Sequence, residues 1–526
     1  MALLDLCNIQ KGEYIMGIGM MKSDVGIVAV DNIGYNLALQ FRKKGYKVTV
    51  CCADVNICNG YDVSGDEHIK SVLNSLSVSE IETAFDIESM VASLESPRKI
   101  FLIKRNGIFS EEIYFKMTSC LQPGDTIIDC CDSSFELTEK RGDELRNLGI
   151  AYLGVGIAGD EYSALEGMSF FVGGKKSDFE NVKTLISAVS SNFQGISCCQ
   201  YIGEGYAGRF AQMIFGGLEY SILETMSEAV MFLKYVLDFD GEQIHDTLCE
   251  WNESELGGYI TGVLADIVSC TDKDTGSYIT EVVSDKAGYS RNVSRLSSSA
   301  SELSVPISVI NAAVYTRYLS KMTDKRSLAA EKFELKRIKN SQSKEYDEDR
   351  LSECIRRSCY LTILTAVSQC VELLLKAEEK YGWSMNIAEV FFAFYAGTVI
   401  QCNLMGRVCD NLSIADNFDL PLFAAGDFRN DSEAYILNLR ECAVISVEQG
   451  LPLPAMINAI SYIDCYCGGK LPTGILQLVR NYLGYDSYKR SDRKEAVTTD
   501  WNAPDGKVTS VSDDSGAKKS IYHKEL

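Results

Sequence analysis

Histidine is nearly absent from this 526-residue chain, which has only His68, His245 and His523. With so few imidazoles a zinc centre on Cys and His ligands is not expected, and metal catalysis has no other ligand cluster to rest on. Positive charge is also in short supply, with 51 Lys and Arg against 73 Asp and Glu and a net charge of -22. Binding to a phosphate backbone needs clustered cations, so no nucleic-acid partner is expected. Tandem C-x-x-C motifs are missing despite 19 cysteines. The cysteines occur as singles and adjacent pairs (Cys51-Cys52, Cys130-Cys131, Cys198-Cys199) in apolar surroundings and are read as reduced core thiols.

Long hydrophobic runs are missing too. The most apolar stretch, Val390 to Ile400, falls short of the roughly 20 residues a membrane helix needs, so no span is expected. The first residues carry Asp5 and Glu13 and lack a basic region followed by an apolar one. Neither a secretory signal nor a transit helix is expected there, and the cytoplasm is the expected location. The final His-Lys-Glu-Leu (523–526) differs by one residue type from a retrieval signal; with no entry signal ahead of it, it is read as coincidence.

What is present is material for a large core, with 46% hydrophobic residues and a length that suggests two to four domains. Strand-like runs at Val25–Val30, Lys47–Cys52, Lys99–Lys104, Asp125–Cys130, Ile150–Leu153 and Ser169–Val172 alternate with helical stretches. That order predicts an α/β domain with a doubly wound parallel sheet, Rossmann-like, over residues 24–203. From about Gly203 the period changes to that of long helices, as in Ala207 to Leu237, and strand signals disappear. An all-helical domain is expected over 204–470, after an extension at 1–23 and before a tail at 471–526. The charged stretch Glu334–Arg350 and the polar one from Lys489 to Lys519 read as mobile surface.

A dinucleotide fold wants G-x-G-x-x-G or G-x-A-x-x-G after its first strand, so that backbone can approach a pyrophosphate at a helix N-terminus. Here that place holds Ala29-Val30-Asp31-Asn32-Ile33-Gly34, and only the last position fits. Asp31 sets a carboxylate where a diphosphate would sit; two like charges a few ångströms apart cost about 1 kcal/mol in water and more when desolvated. Gly34 is read as packing helix on strand. Gly17-Ile18-Gly19 is a decoy, because a strand follows it where the motif requires a helix.

Several segments carry a family resemblance over about residues 24–503. Ile33 to Leu37 (IGYNL), Gly124 to Ser133 (GDTIIDCCDS), Leu153 to Tyr162 (LGVGIAGDEY), Trp251 to Leu256 (WNESEL), Gly382 to Asn386 (GWSMN) and Ile475 to Tyr488 (ILQLVRNYLGYDSY) follow one another as in 6-phosphogluconate dehydrogenases. The chain resembles that family in order, spacing and domain layout. The resemblance implies an NADP-binding domain, a large helical domain of the 6-phosphogluconate dehydrogenase type, and a tail that threads into the second subunit of a homodimer. It also implies oxidative decarboxylation of 6-phosphogluconate with a lysine as base and a glutamate as acid.

The family's residues do not all carry over. Its base-bearing helix, E-G-A-G-H-F-V-K-M-V-H-N-G-I-E-Y, is similar to Gly205–Tyr220 (GYAGRFAQMIFGGLEY) in a gap-free register fixed by Gly208, Phe210, Met213, Gly217 and the Glu219-Tyr220 pair. Gln212 stands at the lysine, and an amide takes no proton at neutral pH. Phe215 and Gly216 replace a histidine and an asparagine, while Glu219 keeps the acid position. The arginine that clamps the 2′-phosphate of NADP falls within Cys52-Ala53-Asp54, where Asp54 would repel it and an acid could in principle favour NAD. The phosphate-gripping K-G-T-G-K-W is Ser290–Arg295 (SRNVSR), and the tail histidine is Asp486.

The candidate substrate residues are thus Asp132, Ser133, Glu219, Tyr220, Arg317 and Arg480; the degenerate cofactor positions are Ala29, Asp31, Gly34, Asp54 and Arg105. Arg317 and Arg480 match family arginines, and Arg291 and Arg295 stand near the lost lysine. All four either hold an anion or bridge to Asp132, Asp486 or Glu219. Aspartate at 31, 54, 132, 160 and 486 gives an acidic lining that rejects polyanions.

The reading that follows is a non-catalytic structural or assembly subunit without cofactor, keeping the homodimer fold and open to other assembly proteins. The alternatives are an active NADP- or NAD-dependent dehydrogenase of 6-phosphogluconate or a related sugar acid, and a sugar-phosphate sensor using Arg317 and Arg480.

Overall fold

The computed structural model describes residues 22–29, 31–52, 81–84, 86–104, 107–288, 290–334, 346–415, 418–484, 486–501 and 507–510. Asp54, Arg105, the Gly17-Ile18-Gly19 decoy and the C-terminal tetrapeptide lie outside these residues. The chain divides into two compact units, Met1–Ala459 and Ile460–Leu526.

The first unit begins with a sheet of β1 (Val25–Ala29), β2 (Val48–Cys52), β3 (Glu82–Ala84), β4 (Lys99–Ile103), β5 (Thr126–Asp129), β6 (Ala151–Ala158), β7 (Ser169–Gly173) and, after the two-residue strands β8 (Asn192–Phe193) and β9 (Ile196–Ser197) of a separate hairpin, β10 (Cys199–Gly203). Its order is β10-β7-β6-β5-β4-β1-β2-β3. Helices α1 (Asn32–Lys43), α2 (Ile87–Ser93), α3 (Glu111–Cys120), α4 (Phe135–Asn147), α5 (Ser163–Glu166) and α6 (Lys176–Ala188) connect the strands. Alternation along β4 decides the two faces: Phe101 and Ile103 point into the core shared with Val25 and Ile27, whereas Ile100 and Leu102 join the core holding Val28 and Met90. That period of two, apolar on both sides, is the signature of a sheet covered on both faces.

The sheet is not wholly parallel. β6 and β7 run antiparallel, Val155 facing Val172, because residues 159–168 hold only the one-turn α5 and a parallel return takes a dozen or more residues. The short β3 and the outer β10 went unanticipated, since neither is long or apolar enough to stand out.

The helical part is led by α7 (Ala207–Val236), which continues into α8 (Gly241–Asn252), α9 (Tyr259–Ser269), α10 (Ile279–Val282), α11 (Arg291–Glu302), α12 (Ser308–Ser320), α13 (Thr323–Lys332), α14 (Glu348–Tyr381), α15 (Ile387–Tyr395), α16 (Asn403–Ile414), α17 (Phe428–Gln449) and α18 (Pro454–Cys467). Helix α14, not the 390–400 stretch, is the one described helix long and apolar enough to cross a membrane, and 89% of its apolar window is buried inside the protein. It is a core helix, capped by Asp347, which accepts from Arg350 N at 3.0 Å. Hence the charged stretch ends in an ordered cap from residue 346; residues 335–345 lie outside the described ones. Buried Glu228 of α7 caps α18 in the same way, its two oxygens accepting from Ala455 N at 2.6 Å and Met456 N at 3.1 Å.

In the second unit, α19 (Thr473–Tyr482) precedes β11 (Tyr488–Lys489), β12 (Ala496–Asp500) and β13 (Lys507–Ser510), an antiparallel sheet. This corrects the expectation of a strandless mobile tail for residues 489–500 and 507–510. Polar composition hid the strands, whose anchors are one fully buried apolar side chain, Val497, and buried Asn481. Asn481 Nδ2 donates to Asp486 O at 2.7 Å and Thr498 Oγ1 at 3.0 Å, and its Oδ1 accepts from Trp501 Nε1 at 3.0 Å.

Candidate functional site

At the turn from β1 into α1, Asp31 has extended backbone and its Oδ1 accepts from Gly34 N at 3.2 Å. The carboxylate thus occupies the positive end of the helix, where a dinucleotide fold places a diphosphate. Gly34 serves close packing: a Cβ there would lie 2.3 Å from Ala29 Cβ. Glu161 adds a second carboxylate, accepting from Asn32 Nδ2 at 2.9 Å, while its main-chain oxygen accepts from Asn36 Nδ2 at 2.8 Å. Two acids and a turn lacking the motif's first two glycines do not suit a diphosphate.

Helix α7 carries the positions that the resemblance assigns to catalysis. Between residues 207 and 222 only Gln212, Gly216 and Glu219 are half exposed. Positions 212 and 219 are seven residues apart, which stacks them on one stripe about 10 Å apart along the axis. Gln212 Nε2 donates to Ile157 O at 3.0 Å, and its buried Oε1 has no hydrogen-bond partner among the described residues. The amide is therefore a donor tied to the sheet, not a base.

The neighbours of Gln212 have become apolar core. Phe215 packs against Phe171 at 5.6 Å and Phe394 at 5.7 Å between ring centroids. Val293, buried in the segment matching K-G-T-G-K-W, reaches into the space at Gly216, where a Cβ would meet Val293 Cγ2 at 2.6 Å. Family asparagine and glycine have thus become Gly216 and Val293, so one side shrank where the other grew.

Ser133 and Asp132 follow β5. Ser133 is buried and its Oγ donates to Asp129 Oδ2 at 3.3 Å, while Asp132 N donates to Gly107 O at 2.9 Å. Asp129, fully buried, is the hub: Tyr152 Oη donates to it at 2.6 Å, Cys131 N at 2.9 Å and Arg209 Nη2 at 3.1 Å, with Arg141 Nη1 at 3.7 Å. Burial pushes the Asp129 carboxyl up, but Arg209, the Tyr152 hydroxyl and the Cys131 N–H outweigh it and hold the group below the usual carboxylate range. This network went unnoticed in the sequence. Its signal was Arg209 replacing the family's histidine two residues after an otherwise matching Ala207.

Tyr220 Oη accepts from Ser290 N at 2.6 Å, and the Arg317 guanidinium lies 3.7 Å from the centre of its ring. Arg317 Nη1 donates to Gly288 O at 3.0 Å. Arg317 and the Thr316 hydroxyl oppose the effect of burial on Glu224, whose carboxyl is nonetheless pushed up. Arg480 donates through Nε to Asp486 Oδ2 at 2.6 Å within the second unit. Asp160 accepts from Ser163 N and Oγ, each at 2.8 Å. The side chain of Arg291 lies outside the described atoms.

Known families and structures agree with this layout. Residues 24–203 match the NAD binding domain of 6-phosphogluconate dehydrogenase, and residues 208–501 match its C-terminal domain. The NADP(+)-dependent, decarboxylating enzyme of Bacillus subtilis is 30% identical over 482 residues, covering 92% of this chain and 100% of that protein. The chain belongs to the 6-phosphogluconate dehydrogenase family. The decarboxylating enzyme of Escherichia coli is likewise 30% identical, over 485 residues, with 92% and 100% covered. The solved 6-phosphogluconate dehydrogenase of Plasmodium falciparum shares the fold, with a TM-score of 0.82 at 24% identity over 91% of this chain and 100% of that one. The expected family and fold class, a Rossmann-like domain and then a large helical one, are therefore those observed.

Proposed function

We propose that this chain is a non-catalytic member of the 6-phosphogluconate dehydrogenase family, acting as a structural or assembly subunit. The observation that carries the reading is Gln212, an amide bound to Ile157 O where the family's lysine base stands. Loss of a general base forfeits roughly 10²- to 10⁴-fold in rate. Asp31 on the α1 N-terminus and Val293 against Gly216 support it on the cofactor and substrate sides. Binding of NADP or NAD is accordingly absent or weak in this reading.

Homodimerisation belongs to the same proposal. Helix α19 exposes Ile475, Leu476, Val479 and Tyr482, an apolar stripe that the family's tail would bury in a second subunit. The sensor alternative is the weaker one, because Arg317 and Arg480 already have partners within the chain.

Purified protein is mixed with 6-phosphogluconate and either NADP or NAD, and nicotinamide reduction is followed by absorbance. No turnover is expected; sustained turnover would overturn the proposal. Sedimentation of the same sample is expected to show a dimer.

A further inference from the structure

Away from that site, α8 carries one of the three histidines beside an exposed cysteine one turn later. His245 Nδ1 lies 2.9 Å from Ala265 O of α9, and His245 Nε2 lies 3.5 Å from Cys249 Sγ. A carbonyl oxygen can only accept, so Nδ1 must hold the proton of the neutral ring. That fixes the tautomer and turns the free lone pair of Nε2 toward the thiol. A base oriented by a third group and aimed at a nucleophile is the arrangement that activates cysteines. The partners stay four residues apart on a helix, so backbone geometry maintains the contact. Cys249 is exposed, whereas most of the described cysteines, such as Cys130, Cys199, Cys359 and Cys370, are buried.

We propose that Cys249, with His245 as its base, is a reactive thiol that exchanges with low-molecular-weight disulfides. In the exchange, Sγ attacks one sulfur of the disulfide as Nε2 takes the thiol proton. A bond forms between Sγ and that sulfur, the original S–S bond breaks, and the departing thiolate receives the proton from the imidazolium. No net oxidant beyond the disulfide is needed. Asp246 and Glu253 flank Cys249 at three residues before and four after it, and Glu250 is next to it. These acids favour a cationic disulfide such as cystamine over the anionic disulfide of glutathione.

The test uses the full-length protein, neutral dithiodipyridine as probe, and mass mapping of the labelled cysteines over time. Cys249 is expected to react first, at least tenfold faster than Cys270, an exposed thiol that serves as internal reference. His245→Asn keeps an N–H that can reach Ala265 O and removes the base; it should slow Cys249 about tenfold or more and leave Cys270 unchanged. A circular-dichroism melt confirms that this variant is folded, and Cys249→Ser supplies the unreactive control. Cystamine should react several-fold faster than glutathione disulfide, with the difference shrinking in high salt. Equal rates at Cys249 and Cys270, or no slowing in His245→Asn, overturn the proposal.

Discussion

In the first turn of α7 every side chain is buried, and a Cβ at Gly208 would fall 2.2 Å from Phe171 O and 2.5 Å from Gly173 N. In the next two turns Gln212, Gly216 and Glu219 stay half exposed, and the obstacle at Gly216 is the tip of one side chain, Val293. The first stretch keeps the family's glycine where the neighbours are backbone, which cannot move aside. The second has exchanged lysine, histidine and asparagine, whose neighbours were free to change with them. In the non-catalytic reading proposed above, requirements of shape have outlasted requirements of chemistry along a single helix.

The largest effect expected on the shape side is at Asp129. Replacing it by Asn leaves Arg209 and Arg141 short of a buried countercharge, which should cost about 3–5 kcal/mol in urea denaturation. The pH dependence follows from its depressed folded-state pKa. The contribution is present above the unfolded value, about 4, and is lost as pH falls through the folded one. The stability gap between wild type and Asp129→Asn should therefore be flat from neutral pH to about 5 and narrow below about 4. A gap that widens in acid would show that the carboxyl is neutral in the folded protein.

Next in size is the contrast within α7 itself. Gly208→Ala pushes against backbone of β7 and should destabilise by about 3 kcal/mol, the upper range for overpacking. Gly216→Ala meets only Val293 Cγ2, and roughly 1 kcal/mol of helix propensity gained offsets that clash, so its effect should stay within about 1 kcal/mol of zero. Equal losses at both positions would remove the distinction between the two stretches.

The sequence made the shape legible and left several polar arrangements hidden. Five of the six expected strands recur within two residues at each end, because apolar β-branched runs between helices leave few alternatives; the sixth, from Ile150, extends to Ala158. The antiparallel β7 was missed because direction depends on the length of a connection, not on the strand's composition. The resemblance sets Gln212 at the lysine through an unbroken register, yet its bond to Ile157 O was not readable, since that joins residues 55 apart. The Asp129 hub likewise gathers Arg141, Tyr152 and Arg209 from three separate segments. The small sheet after α19 was hidden by its polar composition, since besides the single buried Val497 it is hydrogen bonds to Asn481 that hold it.

A smaller effect is expected at the cofactor-side helix. Asp31→Ala removes the cap and should cost about 1 kcal/mol, whereas Asp31→Gly should cost only a few tenths. The glycine variant also removes the charge at the α1 N-terminus, so any thermal stabilisation by NADP should be larger in Asp31→Gly than in wild type. If wild type is stabilised by NADP as strongly as the variant, Asp31 does not oppose the diphosphate.

The smallest effect is expected at the tail, where an arginine and an aspartate meet in a setting opposite to that of Arg209 and Asp129. The Arg480 and Asp486 side chains are 51% and 42% exposed, and exposed ion pairs contribute about 0–1 kcal/mol because water and salt screen them. In the dissociated chain, a double-mutant cycle with Arg480→Ala and Asp486→Ala should give a coupling below about 1 kcal/mol that fades as salt is raised. In the proposed dimer the tail lies inside a second subunit, and there the same pair would be shielded from solvent. A coupling of several kcal/mol, unchanged by salt but falling when the protein is diluted below its dimerisation range, would show the pair at work across that interface. A weak coupling that is screened by salt at every concentration leaves Arg480 a surface residue bonded to the aspartate that took the histidine's place.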